Sequence, residues 1–190
     1  MFNLILFGPP GAGKGTQSVS IATRYQLKHI STGDILREEV RLMTPIGRKA
    51  AEFMNNGKLV PDDVLIALLT KVVEENRYLN GFVFDGFPRT IVQAEAFDKM
   101  LAEQGISVSL VLSLEVNEDE LVQRMVKRAI EQGRTDDRPD VVRERLETYR
   151  RKTSPLLEYF DNQGKLHAIY GIGSVSDILE KLCEQIDNHL

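Results

Sequence analysis

Lys14 stands inside GPPGAGKGT, residues 8–16, a stretch with four glycines, two prolines and a single charge. Glycines at this density let successive backbone N–H groups turn inward around an anion with no side chain in the way. The lysine adds a compact positive charge. The general phosphate-loop pattern is Gly, four free positions, Gly-Lys, then Ser or Thr. Gly8, Gly13 and Lys14 fit it, while Gly15 takes the hydroxyl position and Thr16 follows one step late. The apolar run Phe2 to Phe7 precedes the loop and TQSVSIATRY follows it as a helical segment, the context this pattern requires. The start of that helix adds the positive end of its dipole. The chemistry expected is the binding of a polyphosphate; a glycine-rich turn that only joins strand to helix is the plainer alternative, and spacing and context together disfavour it.

Two further stretches carry chemistry. In FDGFPRT, residues 84–90, Asp85 can orient waters around a nucleotide-bound Mg²⁺, which keeps several waters, and Arg89 can fork onto a phosphate. On spacing alone, an Asp85–Arg89 ion pair explains the same residues equally well. From Arg124 to Arg151 the chain places eight arginines in an acidic protein. Arg124 and Arg128 lie four apart on an expected helix, off the face of Leu121, Val122 and Met125, where like charges repel unless an anion lies between them. Arg128, Arg134 and Arg145 are expected to face phosphate. Arg143, Arg150 and Arg151 read as a solvated face neutralised by Glu131, Asp136, Asp137 and Glu144. His29, His167 and His189 show no metal-ligand spacing and are expected to be structural.

The elements that must position these residues alternate. Strands are expected at Phe2 to Phe7, Lys28 to Ile30, Phe82 to Phe84, Val108 to Leu114 and Leu166 to Tyr170, as short β-branched or aromatic runs ended by turn residues. Helical patterns lie between them. In the last, Val175, Ile178, Leu179, Leu182, Cys183 and Ile186 form one stripe, with Ser174 or Ser176 as cap and Cys183 in the core. Asn117 and Glu120 resemble a capping box at the start of another. Strands separated by helices predict a five-stranded parallel sheet with helices on both faces, an α/β three-layer fold. Ligands of such sheets gather beyond the carboxyl ends of the strands, so the segments 8–16, 31–34 and 85–89 should converge there. Residues 31–60 and 128–139 interrupt the alternation and are read as excursions from the core.

Bulk properties narrow the partners. The chain has 190 residues, 42% hydrophobic and 27% charged, as expected of one ordinary globular core. A net charge of −4 gives no reason to expect nucleic acid or an anionic membrane. The single cysteine excludes a disulfide framework and a multi-cysteine zinc site, so no zinc is expected. No Lys or Arg precedes the apolar FNLILF and no run approaches a membrane span, so a cytoplasmic protein is expected.

Taken together and in this order, GPPGAGKGT, STGD with Arg37, GKLVP, DGFPRT with Gln93, and the RxxxR…RxDD arginines resemble the adenylate kinase family from Phe2 to about Gly173. The Gly-Thr ending of the loop, odd against the general pattern, is how that family's loop reads. The resemblance implies a P-loop NTPase-like core at 1–30, 61–127 and 139–190, a nucleoside-monophosphate flap at 31–60 and a lid at 128–138. With AIEQG alone between Arg128 and Arg134, the lid is of the short type. For ATP it implies contacts from Gly11, Ala12, Gly13, Lys14, Gly15 and Thr16, from Arg128, and from the backbone at Gly173. For AMP it implies Thr32, Arg37, Lys58, Leu59, Val60, Gly86, Phe87, Pro88, Arg89, Gln93, Arg134 and Arg145. Lys14, Arg89, Arg124, Arg128, Arg134 and Arg145 would be the catalytic cations, and Mg²⁺ would come with ATP, mainly through water.

The reaction implied is Mg-ATP + AMP ⇌ 2 ADP by a monomer, with ATP, AMP and ADP as its partners. Closure of the lid would exclude water and bring Arg134 to the site. A UMP/CMP kinase is the nearest alternative. Gln93 favours adenine over it, since an amide can accept and donate along the adenine edge and a pyrimidine offers a different pattern. A catalytically silent nucleotide-binding module is the alternative from another class, and the full arginine set speaks against it.

Overall fold

The computed structural model describes residues 1–134 and 137–190; Thr135 and Asp136, which fall in the expected lid, lie outside the described residues. The strands are β1 (Phe2–Phe7), β2 (Lys28–Ser31), β3 (Gly81–Asp85), β4 (Leu110–Glu115) and β5 (Leu166–Tyr170). They form one parallel sheet in the order β2-β3-β1-β4-β5. The expected five-stranded α/β architecture is therefore present. Chain connections run from β1 to one side and later cross to β4 on the other, so the switch in direction falls beside β1. That is where a ligand crevice opens in such sheets.

Alternation along β1 explains the three layers. Ile5 and Phe7 point to one face, joining Phe82, Phe84, Phe97 and Phe160, while Leu4 and Leu6 point to the other, joining Val83, Leu110, Leu112 and Ile186. The first layer is supplied by α2 (Thr32–Arg41), α3 (Pro45–Met54), α4 (Asp62–Glu75), α5 (Ile91–Glu103) and α8 (Pro155–Asp161). The second comes from α1 (Lys14–Tyr25), α6 (Glu118–Gln132), α7 (Pro139–Thr148) and α9 (Val175–Asp187). A π-helical turn, Tyr149–Thr153, joins α7 to the segment leading into α8. No helix among the described residues is long and apolar enough to cross a membrane.

Several sequence expectations shift at their edges. β2 and β3 extend to Ser31 and Asp85. β4 starts at Leu110 rather than Val108, because the Asn3 side chain takes the Ser107 carbonyl at 2.8 Å and Ser109 Oγ takes the Asn3 N–H at 3.1 Å, replacing ladder bonds there. Ser174, not Ser176, caps α9, and Val175 is more than half exposed while Ile178, Leu182, Cys183 and Ile186 are buried. Asn117 caps α6, but Glu120 bonds Arg124 Nε at 2.7 Å instead of returning to the cap. Val122 is exposed, so the buried face of α6 is Leu121 and Met125.

Candidate active site

The loop after β1 folds as a cradle because three of its glycines sit at positive φ: Gly8, Gly11 and Gly13. Gly11 also lies so close to α6 that an added Cβ would stand 2.8 Å from the Leu121 carbonyl, which presses the loop against the helix carrying Arg124 and Arg128. Lys14 opens α1 and returns over the loop, donating from Nζ to the Gly8 carbonyl at 2.7 Å and the Pro9 carbonyl at 3.0 Å. Burial pushes its ammonium down to about 8; Asp85 works against that, and Arg89, Arg145 and Arg128 add to it.

Two adjoining chambers open from this point. The first is lined by Gly8, Pro10 and Lys14 from the loop, by Gly86, Pro88 and Arg89 after β3, and by Arg145, Thr148, Tyr149 and Thr153. The second is lined by Thr32, Gly33, Leu36 and Arg37 of α2, Met54 of α3, the Gly57–Val60 segment, Leu65, Arg89 and Arg145. Arg89, Arg145, Gly57 and Leu59 belong to both. The three polar segments expected at one sheet edge do meet there: Ser31 and Leu6 are both in register with Asp85.

Each shared arginine is held by its backbone neighbourhood or a buried acid. Arg89 Nε donates to the Gly86 carbonyl at 2.6 Å, its own carbonyl accepts from Thr153 Oγ1 at 2.9 Å, and its N–H donates to Gln93 Oε1 at 2.7 Å. Arg145 donates from a terminal nitrogen to Asp137 Oδ1 at 2.6 Å. Asp137, buried, also takes a forked pair of bonds from Arg128 at 2.6 and 2.8 Å. Burial raises the Asp137 carboxyl, but Arg128, Arg145 and Arg134 outweigh it and hold it below the ordinary carboxylate range. Asp137 is thus no neutraliser of a solvated face: it fixes two of the arginines expected to face phosphate. The like charges of Arg124 and Arg128 are likewise offset within the chain, by Glu120 and Asp137.

Thr32 Oγ1 donates to the Gly86 carbonyl at 3.0 Å, tying α2 to the loop after β3. Arg37 pairs with Asp34 at 2.5 Å, and Arg134 approaches the same carboxylate at 3.8 Å, bridging the expected lid and flap. Phe87 and Gln93 are buried and line neither chamber, as is true of the exposed Gly15, Thr16 and Gly173 and of Gly11, Ala12, Gly13, Arg124 and Arg128. Arg124 reaches the Gly171 carbonyl at 3.2 Å, and Gln17 of α1 reaches the Val175 carbonyl at 3.0 Å, so the loop bearing Gly173 lies beside the phosphate loop.

Asp85 turns its carboxylate toward this loop: an added Cβ on Gly15 would stand 3.5 Å from Oδ2, and His29 Nε2 lies 3.9 Å from the same atom. Among the described residues no group of three or more His, Cys, Asp or Glu could hold a metal ion. One carboxylate without companions suits a cation that arrives with phosphate and keeps its waters, and does not suit a dedicated protein cage.

Residues missed in the sequence also matter. Tyr149 and Thr153 line the first chamber from the π-helical turn, a feature found often at functional sites. Burial, then the charge of Glu115, pushes the Tyr149 hydroxyl up to about 12, so it stays a neutral donor. Gly57, at positive φ, packs within 3.2 Å of α7 atoms as judged by an added Cβ, bringing the tip of the expected flap against Val141, Glu144 and Arg145. A glycine after two asparagines was the only signal for it.

The adenylate kinase family profile matches residues 6–165 of the chain. The chain is similar to the adenylate kinase of Bacteroides thetaiotaomicron, at 46% identity over 98% of this chain and 99% of that protein. It is similar also to the adenylate kinase of Flavobacterium psychrophilum, at 44% over 99% of this chain and 100% of that protein. With the adenylate kinase of Maricaulis maris it shares 47% identity over 93% and 94% of the two chains.

Proposed function

The chain belongs to the adenylate kinase family, and from that premise we propose that its two chambers hold ATP and AMP with their phosphates meeting at Arg89 and Arg145. It is a phosphotransferase that passes the terminal phosphoryl group of ATP reversibly to AMP, giving two ADP. The single observation that carries the placement is the pair of arginines on the wall common to both chambers, with Lys14 on one side and Thr32 and Arg37 on the other.

Phosphoryl transfer asks for alignment and charge stabilisation more than for covalent work by the protein. In this reading Gly11 to Thr16 wrap the ATP phosphates, Arg128 adds to them, and the Gly173 backbone lies against the ATP base. Thr32, Arg37, Lys58, Leu59, Val60, Gly86, Phe87, Pro88, Arg89 and Gln93 receive AMP, with Arg134 and Arg145 near its phosphate. Lys14, Arg89 and Arg145 offset the repulsion of two polyanions and the charge spread over the transferred group. The AMP oxygen must come to roughly 3–3.5 Å of the γ-phosphorus. No general base is needed, since a phosphate oxygen already carries negative charge.

Mg²⁺, bound with ATP, supplies electrostatic stabilisation of the phosphates; Asp85 would orient its waters. The division into core (1–30, 61–127, 139–190), flap (31–60) and short lid (128–138) is part of the same proposal, supported by the Arg134–Asp34 approach and the Gly57 contact with α7. In this proposal the enzyme acts as a cytoplasmic monomer with ATP, AMP and ADP as its partners, a setting that suits the reaction.

The test is ADP formation from ATP with AMP, CMP or UMP at equal concentrations, with and without Mg²⁺. Fast, Mg²⁺-dependent conversion of AMP alone supports the reading. Equal or faster conversion of UMP or CMP rejects it.

Two further outcomes follow from the charges. Arg134→Ala should lower kcat about a hundredfold while leaving ATP affinity within a few-fold, because its contribution arises on lid closure; equal losses in both would reject a closure role. A bound polyphosphate should restore the Lys14 ammonium, whose depression to about 8 comes from burial and neighbouring cations. Binding then takes up protons, so ATP affinity is full below pH 8 and weakens as pH rises through 8. Calorimetry at pH 8 in buffers of different ionisation enthalpy should detect uptake of about half a proton, falling to none near pH 6.5.

A further inference from the structure

We propose that Asp62 is the residue that sets which way Gln93 presents its amide, and through it selects a base edge with adenine's order of hydrogen-bonding groups. The proposal rests on the reading that Gln93 meets the base of AMP. Gln93 is fully buried on the first turn of α5. Its Nε2 donates to Asp62 Oδ1 at 2.6 Å, and its Oε1 accepts from the Arg89 N–H at 2.7 Å. These two partners leave no freedom of orientation. A carboxylate only accepts and a backbone N–H only donates, so the flipped amide would meet oxygen with oxygen and N–H with N–H. The carboxylate itself lies in the first turn of α4, where the helix N-terminus favours an anion.

Gln93 and Asp62 line neither chamber themselves, and the residues they bond or flank form the wall of the second. Arg89 lines both chambers, and Asp62 lies between Val60 and Leu65, which line the second. With one bond made by each end, Gln93 retains one N–H and one oxygen lone pair. Adenine offers N1 as acceptor and N6–H as donor, so the retained pair fits it. Hypoxanthine offers N1–H and O6, the reverse order, and would be met by two repulsive contacts. Uracil presents the same reversed order as hypoxanthine. Cytosine, with N3 and N4–H, repeats adenine's order, so the expectation that a pyrimidine offers a different pattern holds for uracil and not for cytosine. Amide polarity cannot exclude CMP, and the sharp comparison is AMP against IMP, two purines of one size. Asp62 is a positioning residue here, since it acts through Gln93.

The test measures kcat and KM for AMP and for IMP in the wild-type enzyme and in Asp62→Ala, Asp62→Asn, Asp62→Ser and Gln93→Leu, with thermal midpoints to establish folding. Asp62→Ala, which leaves only the Arg89 N–H to orient the amide, should lower the AMP/IMP ratio of kcat/KM by about tenfold or more, carried mainly by KM. Asp62→Asn retains an acceptor oxygen and should hold the ratio within about threefold of wild type, with Asp62→Ser between the two. An unchanged ratio in folded Asp62→Ala or Asp62→Ser, or an equal fall in Asp62→Asn and Asp62→Ala, overturns the proposal. Gln93→Leu separates the two levels. If it leaves the ratio untouched, the base-reading role of Gln93 fails, and the proposal with it. If it collapses the ratio while Asp62→Ala does not, only the role of Asp62 fails.

Discussion

Replacing Lys14 by methionine should lower kcat for ADP formation by about a thousandfold while weakening ATP binding by about tenfold. The asymmetry follows from how the loop is built. Its shape depends on glycines at positive φ, and its proposed grip on phosphate on backbone N–H groups, neither of which the substitution touches. Methionine keeps the length and apolar body of the side chain, so the loop and α1 stay folded. What is lost is the cation that lines the first chamber, bonded here to the Gly8 and Pro9 carbonyls, which phosphate oxygens would replace in the proposed complex. Charge spreads onto those oxygens most strongly in the transition state, where a point charge in a dry site contributes most. Coupled assays for kcat, and equilibrium titration with ATP, measure the two effects separately. A fall of less than tenfold in kcat would remove Lys14 from the chemistry.

Arg89→Ala should be nearly as severe and should differ in kind. Because Arg89 lines both chambers, its loss should raise KM for AMP by about tenfold or more and lower kcat by about a hundredfold or more. Lysine should not restore it. Arg89 uses Nε to hold the Gly86 carbonyl at 2.6 Å and so aims the rest of its fork, a geometry a lysine lacks. The carbonyl and N–H of residue 89 stay engaged with Thr153 and Gln93 whatever the side chain, so the local fold should persist. An Arg89→Lys enzyme with wild-type kcat would show that charge alone matters at this position.

The core of this account was visible in the sequence because it rests on local chemistry. A phosphate loop needs its glycines and lysine at fixed spacing, so GPPGAGKGT declared itself, and the strand–helix alternation placed three polar segments at one sheet edge. What stayed hidden depends on pairs distant in the chain. Asp137 was one of four acids near an arginine-rich stretch, and spacing could not show that it is buried and bonded to both Arg128 and Arg145. Asp62 read only as an acid in a first helical turn, and its bond to Gln93 spans 31 positions. Likewise Val108 satisfied a strand pattern, yet the Asn3 side chain takes over the bonds that would have begun the ladder there.

The central claim is that the two nucleotides react directly across the chambers joined at Arg89 and Arg145, with no protein group taking the phosphoryl in between. The stereochemistry at phosphorus tests it most directly. With ATP made chiral at the γ-phosphorus by oxygen isotopes and AMP as acceptor, the account predicts inversion of configuration in the ADP formed, as a single in-line displacement requires. Retention would mean two displacements through a phosphorylated side chain, and would contradict it.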